Sequence, residues 1–195
     1  MKVAIIKYNA GNIRSVSFAL DRLKVDHIIT DDKEVIQSAD KVIFPGVGEA
    51  NTTMRFLREK NLDQLIVNLK QPVLGICLGM QLMCAFSEEN NTSCLGIFDE
   101  SVKLFDVSGL KVPHMGWNSL QNATGWLDES FNNEFVYFVH SYYVPLSRYT
   151  SAQCSYGVSF SAAMQKGNFY ATQFHPEKSA DVGEKILLRF LNISL

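Results

Sequence analysis

Residues 75 to 79 read Gly-Ile-Cys-Leu-Gly, between the apolar run Pro72-Val73-Leu74 and a helix-like run from Leu78 to Glu89. A strand, a sharp bend and a helix with a thiol at the bend match the nucleophile-elbow pattern G-x-S-x-G, with cysteine in the serine position. The flanking glycines are expected to permit the turn, which makes Cys77 a candidate nucleophile. His175-Pro176-Glu177 follows the alternating run Asn168 to Phe174 and sets an imidazole two residues from a carboxylate. A thiol is mostly protonated near neutrality, so it needs a base, and the base needs an orienting group. His175 and Glu177 are candidates for those roles, with Pro176 restricting the backbone between them. Pro45-Gly46-Val47-Gly48 ends a further strand candidate, where glycines let amides turn toward a ligand. Gly46, Val47 and Gly48, with the Leu78 amide that directly follows the nucleophile, are candidate donors to the oxyanion of a tetrahedral intermediate. The reaction class these parts imply is acyl transfer through a thioester.

Each part has a plainer reading. A cysteine among apolar residues is most often a small core residue, and Cys84, Cys94 and Cys154 are read that way. A lone histidine before proline can cap a strand, and a lone glutamate is usually solvated. The joint occurrence of Cys77, His175 and Glu177 carries the inference. Gly46-Val47-Gly48 also resembles the start of a dinucleotide fingerprint, yet Asn51 stands at the third glycine position and no suitably spaced acid follows. A phosphate loop is absent. His27, His114, His140 and His175 have no local metal-ligand spacing, so neither a metal nor a cofactor is expected.

These residues need elements to hold them. Lys2 to Lys7 reads as a strand that leads through Asn9-Ala10-Gly11-Asn12 into a helix carrying Ile13, Val16, Leu20 and Leu23. Val25 to Thr30 reads as a strand, Asp31 to Ser38 as a short helix, and Lys41 to Phe44 as a strand ending at Pro45. Residues 49 to 70 are helical with a break near Asn61, and they deliver the chain to a buried strand at Val73 to Ile76. Strands alternating with helices imply a parallel sheet. Shorter strand candidates follow at Val102 to Phe105, Phe135 to Val144, Ala152 to Tyr156, Phe160 to Gln165 and Phe169 to Phe174. Ala180 to Leu195 carries one apolar stripe and reads as a covering helix. The expected fold is α/β, a central mostly parallel sheet flanked by helices with an antiparallel extension, in one domain over residues 1–195. Active sites of such sheets gather at the carboxyl ends of strands, where Cys77 and His175 both fall.

Composition bounds the partners. The 195 residues carry 18 basic and 20 acidic side chains, a net charge of −2 with no polybasic run, which argues against nucleic acid or an anionic membrane. The apolar start is too short for a signal peptide, and no apolar stretch of roughly 18 residues exists to span a bilayer. A cytoplasmic location is expected, and the four cysteines are expected to be reduced thiols.

The chain resembles the class I, triad-type glutamine amidotransferases through Gly75-Ile-Cys-Leu-Gly-Met-Gln81 and His175-Pro-Glu177. Asn9-Ala-Gly-Asn12, Phe44-Pro-Gly-Val-Gly48, Ser87-Glu-Glu89, Pro113-His-Met-Gly-Trp-Asn118, Tyr137-Phe-Val-His-Ser141 and His175-Pro-Glu-Lys178 are similar to the glutaminase subunits of imidazole glycerol phosphate synthase. The resemblance implies a flavodoxin-like fold and glutamine as substrate, with Gln81, Glu89, His140, Ser141 and Tyr142 lining its pocket. It also implies a heterodimer with a (β/α)8-barrel cyclase subunit that receives the ammonia, with Asn12, Trp117, Tyr137 and Lys178 at the docking face. Two departures concern that face: the opening Tyr8-Asn-Ala-Gly-Asn12 differs from the usual one, and Ser15 stands where some relatives have asparagine. Paralogues that serve surface-polysaccharide amidation, a stand-alone cysteine hydrolase and a non-catalytic regulatory domain remain as alternatives.

Overall fold

The computed structural model describes residues 1–8, 11–106 and 109–194, so Asn9 and Ala10 of the opening motif lie outside the described residues. The first half alternates β1 (Val3–Ile6), α1 (Ile13–Arg22), β2 (His27–Thr30), α2 (Lys33–Ser38), β3 (Lys41–Phe44), α3 (Ala50–Glu59), α4 (Leu62–Asn68), β4 (Val73–Ile76) and α5 (Leu78–Met83). Then come β5 (Phe86–Ser87), β6 (Thr92–Ser93), β7 (Ser101–Leu104), β8 (His114–Ser119), β9 (Phe135–His140) and β10 (Tyr142–Tyr143). The chain closes with β11 (Thr150–Tyr156), β12 (Val158–Lys166), β13 (Phe169–Thr172) and α6 (Ala180–Leu191).

A seven-stranded sheet runs β11-β12-β13-β4-β3-β1-β2. From β13 to β2 neighbouring strands are parallel, while β12 pairs antiparallel with both β11 and β13. This is the expected mostly parallel sheet with its antiparallel extension. Strands buried on both faces must be apolar at every position, and β1, Val-Ala-Ile-Ile, is wholly inaccessible. Its alternate residues serve two cores. Val3 and Ile5 pack with α1 and α6, whereas Ala4 and Ile6 pack with the α2 to α5 side. Phe160, Phe138 and Phe174 fill the first core, and Phe44 and Phe98 the second.

Several boundaries depart from expectation for identifiable reasons. The helix after Cys77 stops at Met83 rather than reaching Glu89, because Cys84 turns extended and Phe86–Ser87 pairs with two strands of a second sheet, β10-β7-β5-β6. The run Phe135 to Val144 divides at Ser141 into β9, in a hairpin with β8, and β10, in the second sheet. β8 itself carries too few apolar residues to be legible as a strand, since Gly116, Asn118 and Ser119 break its alternation. The break near Asn61 is real: Asn61 takes a left-handed φ of 51°, which asparagine tolerates, and separates α3 from α4.

Candidate active site

Cys77 lies between β4 and α5 with φ 52° and ψ −104°, a strained pair of angles for a residue with a Cβ. Backbone bonds hold it there, from its N–H to the Thr172 carbonyl at 2.7 Å and from the Gln81 N–H to its own carbonyl at 3.1 Å. The glycines on either side do not supply the positive φ that the sequence suggested. They supply room: a Cβ on Gly79 would overlap the Phe44 carbonyl oxygen, and one on Gly75 would come within 2.8 Å of Met83 Sδ. The elbow is therefore close packing around one strained residue.

β13 lies beside β4 in the sheet, so the segment after it reaches the same edge as Cys77. His175 is completely buried, and its Nδ1 is 2.7 Å from Glu177 Oε1. A carboxylate only accepts, so Nδ1 carries a proton and Nε2 is the ring nitrogen that Glu177 leaves unengaged. Nε2 has no hydrogen-bond partner of good geometry, and neither has Glu177 Oε2. Burial pushes His175 toward the neutral form, but the charges of Cys77 and Glu177 outweigh it and raise the imidazole to about 10. The structure brings the expected nucleophile, base and orienter together in the fold.

Asn12, which the resemblance put at a docking face, is half-buried, and its Nδ2 donates to Glu177 Oε1. The same nitrogen is 3.3 Å from His175 Nδ1, which already directs its proton to Glu177, so that second contact is not a hydrogen bond. With its amide turned inward, Asn12 leaves α1 without a side-chain cap. Trp117 is exposed and stacks edge-on against its cross-strand neighbour Tyr137, while Lys178 is exposed and Tyr137 half-buried.

A cavity of about 240 Å³ opens over the sulfur. Val47, Gly48, Cys77, Leu78, Gln81, Glu89, His140, Ser141 and Tyr142 line it, which gathers all five expected pocket residues around the thiol. The volume is below the range usual for drug-sized ligands and suits one amino acid. Glu89 Oε2 accepts from the Ala50 N–H at the start of α3, and burial pushes its carboxyl above the ordinary value. Neighbouring Glu49 is held down at about 2: burial opposes its charge, but bonds from Asn90, Thr52 and Asn51 prevail.

The candidate oxyanion donor next to the nucleophile is not free. Leu78 N–H donates to the Gly46 carbonyl at 3.3 Å, so the amide next to the nucleophile is occupied by the very loop expected to assist it. Two further bonds hold that loop: Tyr8 Oη donates to the Pro45 carbonyl, and Gly11 N–H donates to the Val47 carbonyl at 3.2 Å. Burial drives the Tyr8 phenol far above its usual range, so it stays a proton donor. No local sequence pattern marks Tyr8, because its contact lies 37 residues away.

A thiol at a strand-to-helix elbow with a paired imidazole and carboxylate on an open parallel sheet places the molecule among α/β enzymes of the thiol acyl-transfer class. The family model for glutamine amidotransferase class-I matches residues 5–193. An imidazole glycerol phosphate synthase subunit HisH of Bacteroides fragilis is 62% identical over 196 residues, covering 99% of this chain and 100% of the relative. The HisH subunit of Vibrio parahaemolyticus is 44% identical, with 98% of each chain covered. In fold, the crystal structure of a glutamine amidotransferase superposes with a TM-score of 0.74 at 19% identity, over 96% of this chain and 98% of its own. The chain belongs to the class-I glutamine amidotransferase family, in the branch of the HisH subunits of imidazole glycerol phosphate synthase.

Proposed function

We propose that this chain is the glutaminase subunit of imidazole glycerol phosphate synthase. It hydrolyses glutamine at Cys77 and passes the ammonia to a (β/α)8-barrel synthase subunit, which forms imidazole glycerol phosphate and AICAR in histidine biosynthesis. The observation that carries the reading is a buried Cys77, His175 and Glu177 under an amino-acid-sized cavity, in a chain 62% identical over its length to a HisH subunit.

His175 accepts the Cys77 proton at Nε2, and the thiolate attacks the side-chain amide carbon of glutamine. The tetrahedral oxyanion needs the Leu78 amide together with an amide from Gly46 to Gly48. His175 then protonates the nitrogen, ammonia departs, and a glutamyl thioester remains. Water, deprotonated by His175, attacks that thioester; the sulfur leaves as thiolate and glutamate is released. Glu177 keeps the imidazole oriented throughout, and a carboxylate such as Glu89 suits the α-ammonium group. Ammonia formed in a pocket sealed by a partner escapes protonation by water.

The Gly46 carbonyl on the Leu78 N–H supports a resting state with low basal turnover and a loop rearrangement on docking. Met115, Trp117 and Phe135 project from one face of the β8–β9 hairpin at 61%, 53% and 57% exposure, an apolar surface that supports a protein partner there. A cytoplasmic location accords with the reading; among the described residues no helix is long and apolar enough to cross a membrane.

The test is glutamine hydrolysis by the full chain, alone and with the barrel partner plus its nucleotide substrate. The expected outcome is a low basal rate that rises on adding both, and Cys77→Ala that loses glutamine-dependent output while output from added ammonia persists. Equal rates with and without the partner would favour a stand-alone hydrolase.

A further inference from the structure

Gln173 carries no role in the reading above. It follows β13, is completely buried, and its Nε2 lies 3.6 Å from Cys77 Sγ, within hydrogen-bonding reach of sulfur. Which end of a buried amide faces a partner is decided by its neighbours. The Tyr142 carbonyl only accepts, so the Gln81 group 2.9 Å from it is the NH2. That same nitrogen is 3.0 Å from Gln173, which makes the Gln173 atom there the carbonyl oxygen. The Gln173 NH2 is left facing the sulfur.

The Tyr142 carbonyl is itself held in place. His140 Nδ1 donates to it at 2.7 Å, so His140 Nε2 is an acceptor and takes a proton from His114 Nδ1 at 3.0 Å. His114 Nε2 then faces the Asn118 amide at 3.4 Å. A proton added to either ring would set two N–H groups against each other. Burial agrees with this, holding His114 down at about 4 and His140 at about 3. The two rings are a neutral pair with one polarity, running from the exposed β8–β9 hairpin to the pocket wall.

We propose that Gln173 is a further catalytic residue: its amide donates to Cys77 Sγ and stabilises the thiolate, with its polarity imposed by Gln81, the Tyr142 carbonyl and the neutral His140–His114 pair. This rests on Cys77 being the nucleophile. When the thiol passes its proton to His175, the sulfur gains a full negative charge and the amide becomes a charge-assisted donor. In the thioester the sulfur is a poor acceptor, so the bond weakens on acylation and returns as the tetrahedral intermediate expels thiolate. The donor therefore acts on nucleophile formation and on deacylation.

The test is the pH dependence of Cys77 alkylation by iodoacetamide, followed by peptide-resolved mass spectrometry on the full chain, for wild type and Gln173→Met. Loss of one donor to a thiolate shifts the midpoint up by about one pH unit and lowers kcat about tenfold with KM little changed. Gln173→Asn draws the amide back from the sulfur and shifts the midpoint the same way. In the unmutated protein the Gln173 side-chain amide resonance titrates with the Cys77 midpoint, which needs no variant. An unchanged midpoint in a folded variant, or a resonance that does not move, overturns the proposal alone. Full glutamine turnover by Cys77→Ala overturns it together with the reading beneath it.

Discussion

At Cys77 the chain accepts a local cost, on the order of 1–3 kcal/mol for such backbone angles, to lift one sulfur over a cavity. The charge of the His175 ring is linked to Cys77 and to Glu177 beside it. Glu177→Gln removes a charge that favours the imidazolium, and the glutaminase rate is expected to fall by about 10²–10⁴-fold in steady-state assays. The sign with pH follows from linkage. The folded pKa of His175, about 10, lies above the ordinary 6.5, so stabilisation by the charged ring is complete below pH 6.5 and is lost as pH rises through about 10. The gap in urea midpoint between wild type and Glu177→Gln should be widest below pH 6.5 and close toward pH 10. Cys77, His175 and Glu177 were legible in the sequence because each sits beside its own strand signal. Gln173 was not, since its contact with Cys77 spans 96 residues and no local pattern marks it; the opening motif marked Asn12, but not its bond to Glu177, 165 residues away.

Among elements, the proposed function makes the segment Pro45 to Gly48 the one that decides whether the site works. Its Gly46 carbonyl occupies the Leu78 N–H, and Tyr8 fastens its Pro45 carbonyl. Tyr8→Phe removes one bond that favours this resting arrangement, a net effect of about 1 kcal/mol. The partner-free glutaminase rate is expected to rise a few-fold, with the partner-saturated rate little changed; a lower partner-free rate would count against the latch. Gly79→Ala tests the packing of α5, because the added Cβ meets the Phe44 carbonyl and should cost about 1–3 kcal/mol in denaturant unfolding. The first half of the chain was readable element by element, through apolar strands and the Asn61 break. The short pieces from β5 to β10 were less so. Strands of two residues draw their stability from neighbours in a second sheet, which periodicity does not report.

At the scale of the whole molecule, one hairpin faces two ways. The buried side of β8–β9 carries His114, His140 and Phe138 into the core, and the other side offers Met115, Trp117 and Phe135 to solvent. Trp117→Ala is expected to weaken binding to the barrel partner by about 2 kcal/mol, roughly 30-fold in Kd, measured by calorimetry, while the partner-free rate stays at wild-type level. The central claim is that glutamine nitrogen is released through a covalent intermediate on Cys77. Acid-quenched mass spectrometry of the chain turning over glutamine with its barrel partner tests it most directly. A glutamyl adduct confined to the Cys77 peptide, and missing from Cys77→Ala, is the predicted result. Continued turnover with no adduct on Cys77, or an adduct on Cys84, Cys94 or Cys154 instead, would contradict it.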